Sequence, residues 1–441
     1  MDFLTAGLLC IGLLLLLMVL GVPIALSFLL SGIICSYMMG TLTSTLSILG
    51  SSLYHTIEGP TWVAIPLFIF MGGLASIGAF ARRAYECVGV LTARLPGGLG
   101  IATCYSCAAF GAISGSSLAT VVIFGRLAMP EMERYGYDKG FAAACITVAG
   151  TFSAMIPPSL MFIIYALFTQ TSVGRLFAAG ILPGLMTATV YAIYIASKAM
   201  RRPDMVPSTA AIIDALPPKE RKRRIFAIWP VLIIAGCVLG GIYGGVFTST
   251  EAAAAGALLT LILGFLLKDI RSTKAVFTEM KASASTTSMI FLINVAALYY
   301  SRVLAMTGLP TEMTMALQGM DMPGWVVMGG ILLIMFLLGM IMVPIGIYAL
   351  TLPIVVPILE VYQFDLIWFG VLALKMTEIG SITPPVGLNV FAIKGVLSRD
   401  TSLETLFKAI VPFILVEVIT LIILWVFPQI SLWLPNLLFG T

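Results

Sequence analysis

Residues 151–164 read TFSAMIPPSLMFII and residues 378–391 read EIGSITPPVGLNVF, each placing a Pro-Pro pair inside an apolar run. Proline lacks the N–H that would bond the carbonyl four residues earlier, and its ring pushes that carbonyl aside. Pro157 and Pro158 therefore release the carbonyls of Ser153 and Ala154, and Pro384 and Pro385 release those of Gly380 and Ser381. In lipid such breaks survive only where protein, water or an ion satisfies the freed oxygens. Lipid is the expected solvent, because the 441 residues are 60% hydrophobic and only 10% charged, with mean hydropathy +1.08. A soluble domain keeps about 25% charged residues. The chain reads as an all-α integral membrane protein, and its N-terminal apolar run lacks the basic n-region of a signal peptide.

Charge placement gives a topology. The basic loop 198–224 holds Lys198, Arg201, Arg202, Lys219 and the run RKRR, and it is expected to be cytoplasmic. Counting outward from it gives about ten spans, with two short N-terminal helices turning at Gly21 to Pro23 and a periplasmic tail at 428–441. The segment 99–128 has a Gly/Ser-rich middle between legs of about ten residues, too short to cross, and reads as a re-entrant hairpin.

A shift of 227 residues lays PEMERYGYD (130–138) on PILEVYQFD (357–365), and one Pro-Pro pair on the other. The chain thus holds two copies of one unit. The first is 61–197, with a hairpin at about 99–128 and an interrupted helix at about 140–168. The second is 285–427, with a hairpin at about 325–356 and an interrupted helix at about 367–394. Segments 1–60 and 198–284 are expected to be scaffold. The linker 126–139 carries Arg126, Arg134 and Lys139, whereas its counterpart 353–366 has no basic residue. Conversely, Arg175 stands alone in its loop, against Lys394, Arg399 and Lys408 in the second copy. The reversed bias predicts inverted orientation, which with interrupted helices points to secondary transport.

Neutral oxygens cluster at the breaks, and such ligands suit an alkali cation. They are Thr151 and Ser153 in the first copy, and Ser381 and Thr383 in the second. The first hairpin tip adds Ser114, Ser116, Ser117 and Thr120, while the second offers carbonyls from Val343 to Gly346. The half-helix after each break directs its positive end at the same centre, which favours an anionic substrate. Lys375 and Glu378 lie three apart and share a helix face, either as a self-neutralising pair or as functional charges. Arg302, near the outer end of its span, could attract a carboxylate or pair with a neighbour. Cys104 and Cys107 read as packing residues rather than a redox or metal site, and the single histidine, His55, as a loop residue. A channel would show charged rings or repeated carbonyl filters. An intramembrane serine protease built on SGSSLA would need a base that the sequence does not place there.

FGAISGSSLAT, followed by MPEM and ITPPVGLNVFAIKG, resembles the large membrane subunit (DctM type) of tripartite ATP-independent periplasmic (TRAP) transporters, over essentially the whole chain. The resemblance implies no enzyme activity. It implies sodium-driven uptake of a small organic acid (a C4-dicarboxylate, sialic acid or sugar acid) by an elevator movement in the bacterial inner membrane. It also implies a separate small membrane subunit and a periplasmic substrate-binding protein, with membrane lipid and no nucleic acid as the remaining surroundings. Two or more sodium ions are implied, and no organic cofactor. They would lie on Ser114, Gly115, Ser116 and Ser117 with Thr151, Ser153 and Ala154, and on Val343 and Gly346 with Gly380, Ser381 and Thr383. Ser159, Gly387, Asn389 and Arg302 are the substrate candidates.

Overall fold

The computed structural model describes residues 3–210, 216–397 and 401–440, so Arg399 lies outside the described residues. All regular structure among these residues is helical. Among the described residues, six helices are long and apolar enough to cross a membrane, and Thr61–Ile77 with Phe80–Thr92, bent by 64°, can count as a seventh. Large exposed apolar side chains such as Leu8, Leu16, Leu232, Ile262, Leu333 and Ile419 suit a lipid-facing wall.

The 227-residue offset holds at the level of helix ends. The second hairpin limb Ser117–Arg134 becomes Pro344–Val361, and the helix before the break, Lys139–Ser153, becomes Leu366–Gly380, both without a one-residue slip. Asp138 and Asp365 start these two helices in the same way. Asp138 accepts from the Phe141 amide at 2.8 Å, and Asp365 from Ile367 and Trp368 at 2.7 and 3.0 Å. A side-chain oxygen at this position satisfies amides that have no partner within the helix. The match also reaches the N-terminus, since Phe3–Val19 and Ile24–Met39 correspond to Trp229–Tyr243 and Ser249–Leu266 within three residues. The repeat is therefore longer than 61–197 and 285–427, and the opening helices belong to it.

Each copy lends its opening helices to the other. Ile24–Met39 packs on Thr273–Met306, where the Tyr299 ring lies against Gly32, the Tyr299 hydroxyl bonds Ser36 at 2.9 Å, and Phe28 meets Tyr300 edge-on at 5.3 Å. Ser249–Leu266 packs on Ala64–Ile77, with Gly256 against Met71. Small residues let the backbones approach, which is how helices gain contact where lipid removes the hydrophobic drive. The core helices cross in the same manner. Each hairpin's second limb touches the short half-helix of the opposite copy, and each closing helix (Val173–Arg201 or Leu403–Val426) lies on the opposite copy's interrupted helix.

Three sequence expectations change. The first hairpin's limbs, Gly98–Ser114 and Ser117–Arg134, are 17 and 18 residues rather than about ten. Helix continues through the Gly/Ser-rich stretch because Gly111 serves close packing, and only Gly115 and Ser116 turn. The segment at 428–441 is not a tail, since Gln429–Phe439 is a helix packed on Val173–Arg201, with Arg175 donating to Asn436 at 2.9 Å. His55 lies in the helix Leu42–Glu58 rather than in a loop. All seven cysteines are free, and Cys104 and Cys107 are buried on one hairpin limb.

Candidate functional site

Both interrupted helices end in tightened turns before their proline pairs. In the first copy the amides of Ala154, Met155 and Ile156 bond the carbonyls of Thr151, Phe152 and Ser153. In the second, the amides of Ile382 and Thr383 reach Ile379 and Gly380, and the Asn389 amide reaches the Ser381 carbonyl at 3.0 Å. The carbonyls of Ser153, Gly380 and Ser381 are thus not bare, as the proline argument alone suggests. Each accepts one amide and keeps a lone pair. Both Pro-Pro bonds, Pro157-Pro158 and Pro384-Pro385, are cis.

The first hairpin seats its tip in its own break. Gly115 adopts φ +61° against the Pro158 carbonyl, where a Cβ would lie only 2.5 Å away, so glycine is required on both counts. Its carbonyl accepts from the Leu160 amide at 3.4 Å, and Gly111 rests on Ser153. The start of the following half-helix, Leu160–Thr169, is therefore occupied. Leu160 is engaged by the tip and Phe162 by the Ser159 hydroxyl, which is a cap rather than an open substrate contact. The second hairpin meets its helix one turn from its tip, where Gly380 lies on Gly339. Gly346 instead faces Met342 and Ile24, and Val343 is half-buried.

The four hydroxyls at the first tip divide their tasks. Ser114 pairs with Thr120 at 3.2 Å, and Ser116 caps its limb through the Ala119 amide. Ser117 crosses to the other copy and donates to Glu378 Oε1 at 2.9 Å. Asn389 donates to Glu378 Oε2 at 3.3 Å and to Ser381 Oγ at 2.8 Å, while Thr383 turns back to the Ile379 carbonyl. Gly387, at φ +66°, begins the short half-helix Leu388–Lys394 without a side-chain cap. The structure thus brings Ser117, Glu378, Ser381 and Asn389 together. Arg302 is elsewhere: it donates to Ser52 at 3.0 Å and lines a cavity of about 200 Å³ with Thr56, Trp62 and Gln170.

Lys375 does not pair with Glu378, which corrects the expectation of a pair between the two. Its ammonium is bonded to Glu417 of the closing helix Leu403–Val426 and donates to Thr187 at 3.0 Å. Glu417 also accepts from Tyr191 at 2.5 Å and Thr151 at 3.5 Å. Thr151 is thereby drawn toward this cluster. The group joins both interrupted helices and both closing helices. Sequence reading missed Glu417, yet a signal existed: it is a lone acid inside the apolar stretch FILVEVITLI, and ionised side chains within membrane helices are rare.

Comparison with known proteins places these features. Residues 11–430 match the family described as tripartite ATP-independent periplasmic transporter, DctM component. The chain is 34% identical over 446 aligned residues to the C4-dicarboxylate TRAP transporter large permease DctM of Vibrio cholerae, covering 96% of each. It is 31% identical over 430 residues to the ectoine TRAP transporter large permease TeaC of Halomonas elongata, covering 96% of this chain and 97% of that one. Among solved structures, the YdaH transporter of Alcanivorax borkumensis shares the fold, with TM-score 0.64 at 13% identity, over 89% of this chain and 90% of that one.

Proposed function

The chain belongs to the DctM component family of TRAP transporters, and from that premise we propose that it drives sodium-coupled uptake of a small organic acid by an elevator movement. It is a transporter permease and not an enzyme. One observation carries the coupling. The first hairpin's tip meets both its own break and the opposite copy's interrupted helix through Ser117 and Glu378, so oxygens of both copies converge. Two or more sodium ions would be held by hydroxyls and by the remaining carbonyl lone pairs at Ser114–Ser117 with Thr151–Ala154, and at Val343–Gly346 with Gly380–Thr383. The hairpins and interrupted helices form the moving body, and the exchanged opening helices form the frame. A small membrane subunit and a periplasmic binding protein complete the assembly in a bacterial inner membrane, with the C-terminal helix outside. The named substrates of the two relatives, a C4-dicarboxylate and ectoine, are carboxylates, which supports an organic acid.

Reconstitution tests this reading. The chain alone in liposomes with a sodium gradient should show little uptake, and adding the small subunit and the binding protein should restore it. Saturable, sodium-dependent uptake supports the proposal. Robust uptake by the single chain, or flux that never saturates, counts against it.

A further inference from the structure

Next to the basic loop, outside the site described above, lies a charged cavity of about 490 Å³. It forms where the helix Phe80–Thr92 meets the basic helix Pro218–Phe226 and the chain just past Ser249–Leu266, at Asp269. Four arginines line it, Arg82, Arg83, Arg223 and Arg224. Two of them are engaged. Arg83 grips Asp269 with both prongs at 2.8 and 2.9 Å, and Arg224 donates to Glu220 at 2.9 Å. The other two are not. Arg82 is exposed and has no hydrogen-bond or ion-pair partner among the described residues. Arg223 reaches Glu220 only at 3.8 Å, with its side chain 81% exposed. Two guanidinium groups with unused donors thus border one open volume, and such forks match the oxygens of a phosphate.

The rim shows what carries the phosphate. Phe226 and Trp229 border the same cavity and are 71% and 40% exposed. Leu232 and Ile233, exposed on the helix Trp229–Tyr243, continue that rim into the lipid-facing wall. Aromatic side chains favour the headgroup level of a membrane. A soluble anion would leave this apolar rim in water, whereas a phospholipid covers it with its acyl chains. The repeat does not supply the feature. At the 227-residue offset Arg82 and Arg83 correspond to Leu309 and Pro310, so the matching helix Leu309–Gly319 lacks both charges.

We infer that this cavity binds the headgroup of an anionic phospholipid, with its phosphate between Arg82 and Arg223 and its acyl chains along Phe226, Trp229 and Leu232. Basic pockets between helices at the cytoplasmic end are where such headgroups lodge. Phe80–Thr92 packs on the hairpin limb Gly98–Ser114, and Pro218–Phe226 leads into the frame helix Trp229–Tyr243. The bound lipid therefore bridges the frame and the element that carries the first hairpin.

The test is lipid retention by the purified, delipidated chain in neutral detergent. The chain is titrated with phosphatidylglycerol or phosphatidylcholine, and bound lipid is read by mass spectrometry of the intact complex. Phosphatidylglycerol should bind about thirtyfold more tightly, the scale of two arginines at about fivefold each. Arg82→Gln and Arg223→Gln should each lower that preference about fivefold, and the double variant should abolish it. Both side chains are exposed, so these variants should keep the wild-type melting temperature. Arg201→Gln/Arg202→Gln, an exposed basic pair outside the cavity, should leave the preference unchanged. Equal binding of the two lipids by the wild type overturns the site. So does an equal loss in the Arg201/Arg202 variant, because any basic surface would then suffice. Full displacement of the lipid by millimolar glycerol phosphate also overturns it, in favour of a soluble phosphate ester.

Discussion

The two proline breaks share their sequence pattern, their register and their cis bonds, yet they face different surroundings. Around the first, Pro157, Pro158 and Ser159 are buried beneath the hairpin tip. Around the second, Pro384 and Pro385 are exposed and Thr383 is half-buried. Charge divides in the same direction, since the second copy contributes Lys375, Glu378 and Glu417 and the first contributes hydroxyls to meet them. A repeat supplies the same bend twice, and divergence of the side chains gives one copy a sealed joint and the other an open, charged one.

The comparison can be broken outright by its orientation. Cysteines placed at Glu133 and Glu360, in a cysteine-free background, should react with an impermeant reagent from opposite sides of the membrane. Labelling of both from outside intact spheroplasts would end the inverted-repeat account.

Next in size is the buried pair. Glu417→Leu strands the Lys375 ammonium and should cost about 3–5 kcal/mol, seen as a lowered melting temperature in detergent. The double variant Lys375→Met/Glu417→Leu should recover most of that loss, because no unpaired charge remains.

Glycine contacts test whether the two joints are packed alike. Gly111→Ala would bring a Cβ within 2.4 Å of the Ser153 carbonyl, and Gly380→Ala within 2.6 Å of the Gly339 carbonyl carbon. Each should cost about 1–3 kcal/mol by overpacking. A large effect in one and none in the other would show that only one hairpin is rigidly seated.

The smallest effect sharpens the sealed-versus-open contrast. Thr383→Val should weaken sodium dependence of transport by about five- to thirtyfold if its hydroxyl serves an ion. Thr151→Val removes a proposed ion ligand and also a contact to Glu417, so it should shift half-saturating sodium less than Thr383→Val does and lower stability by about 1 kcal/mol. Equal shifts in half-saturating sodium would mean that the two breaks are functionally the same.

Legibility in the sequence followed locality. The repeat, the hairpins and the breaks were readable because proline, glycine and charge bias act within a few residues, and the 227-residue offset predicted helix ends that the structure shares to the residue at Ser117/Pro344 and Lys139/Leu366. Side-chain partnership was not readable. Lys375 and Glu378 are neighbours by helix geometry, but each is captured by another helix, Lys375 by Glu417 and Glu378 by Ser117, which lies 261 residues away in the chain. The first hairpin's limbs are longer than the sequence suggests because glycine marks both a turn and a tight contact, and only the neighbouring backbone decides which.

The exchange of opening helices has a consequence in time. Ser36 waits for Tyr299, 263 residues further along the chain. At translation rates of roughly 5–20 residues per second, that is an interval on the order of ten seconds or more. During it, Ile24–Met39 is already synthesised while its docking helix is not. The first half therefore has to be held in the bilayer as an unfinished piece, and assembly completes only when the second half inserts and each half receives its missing wall from the other.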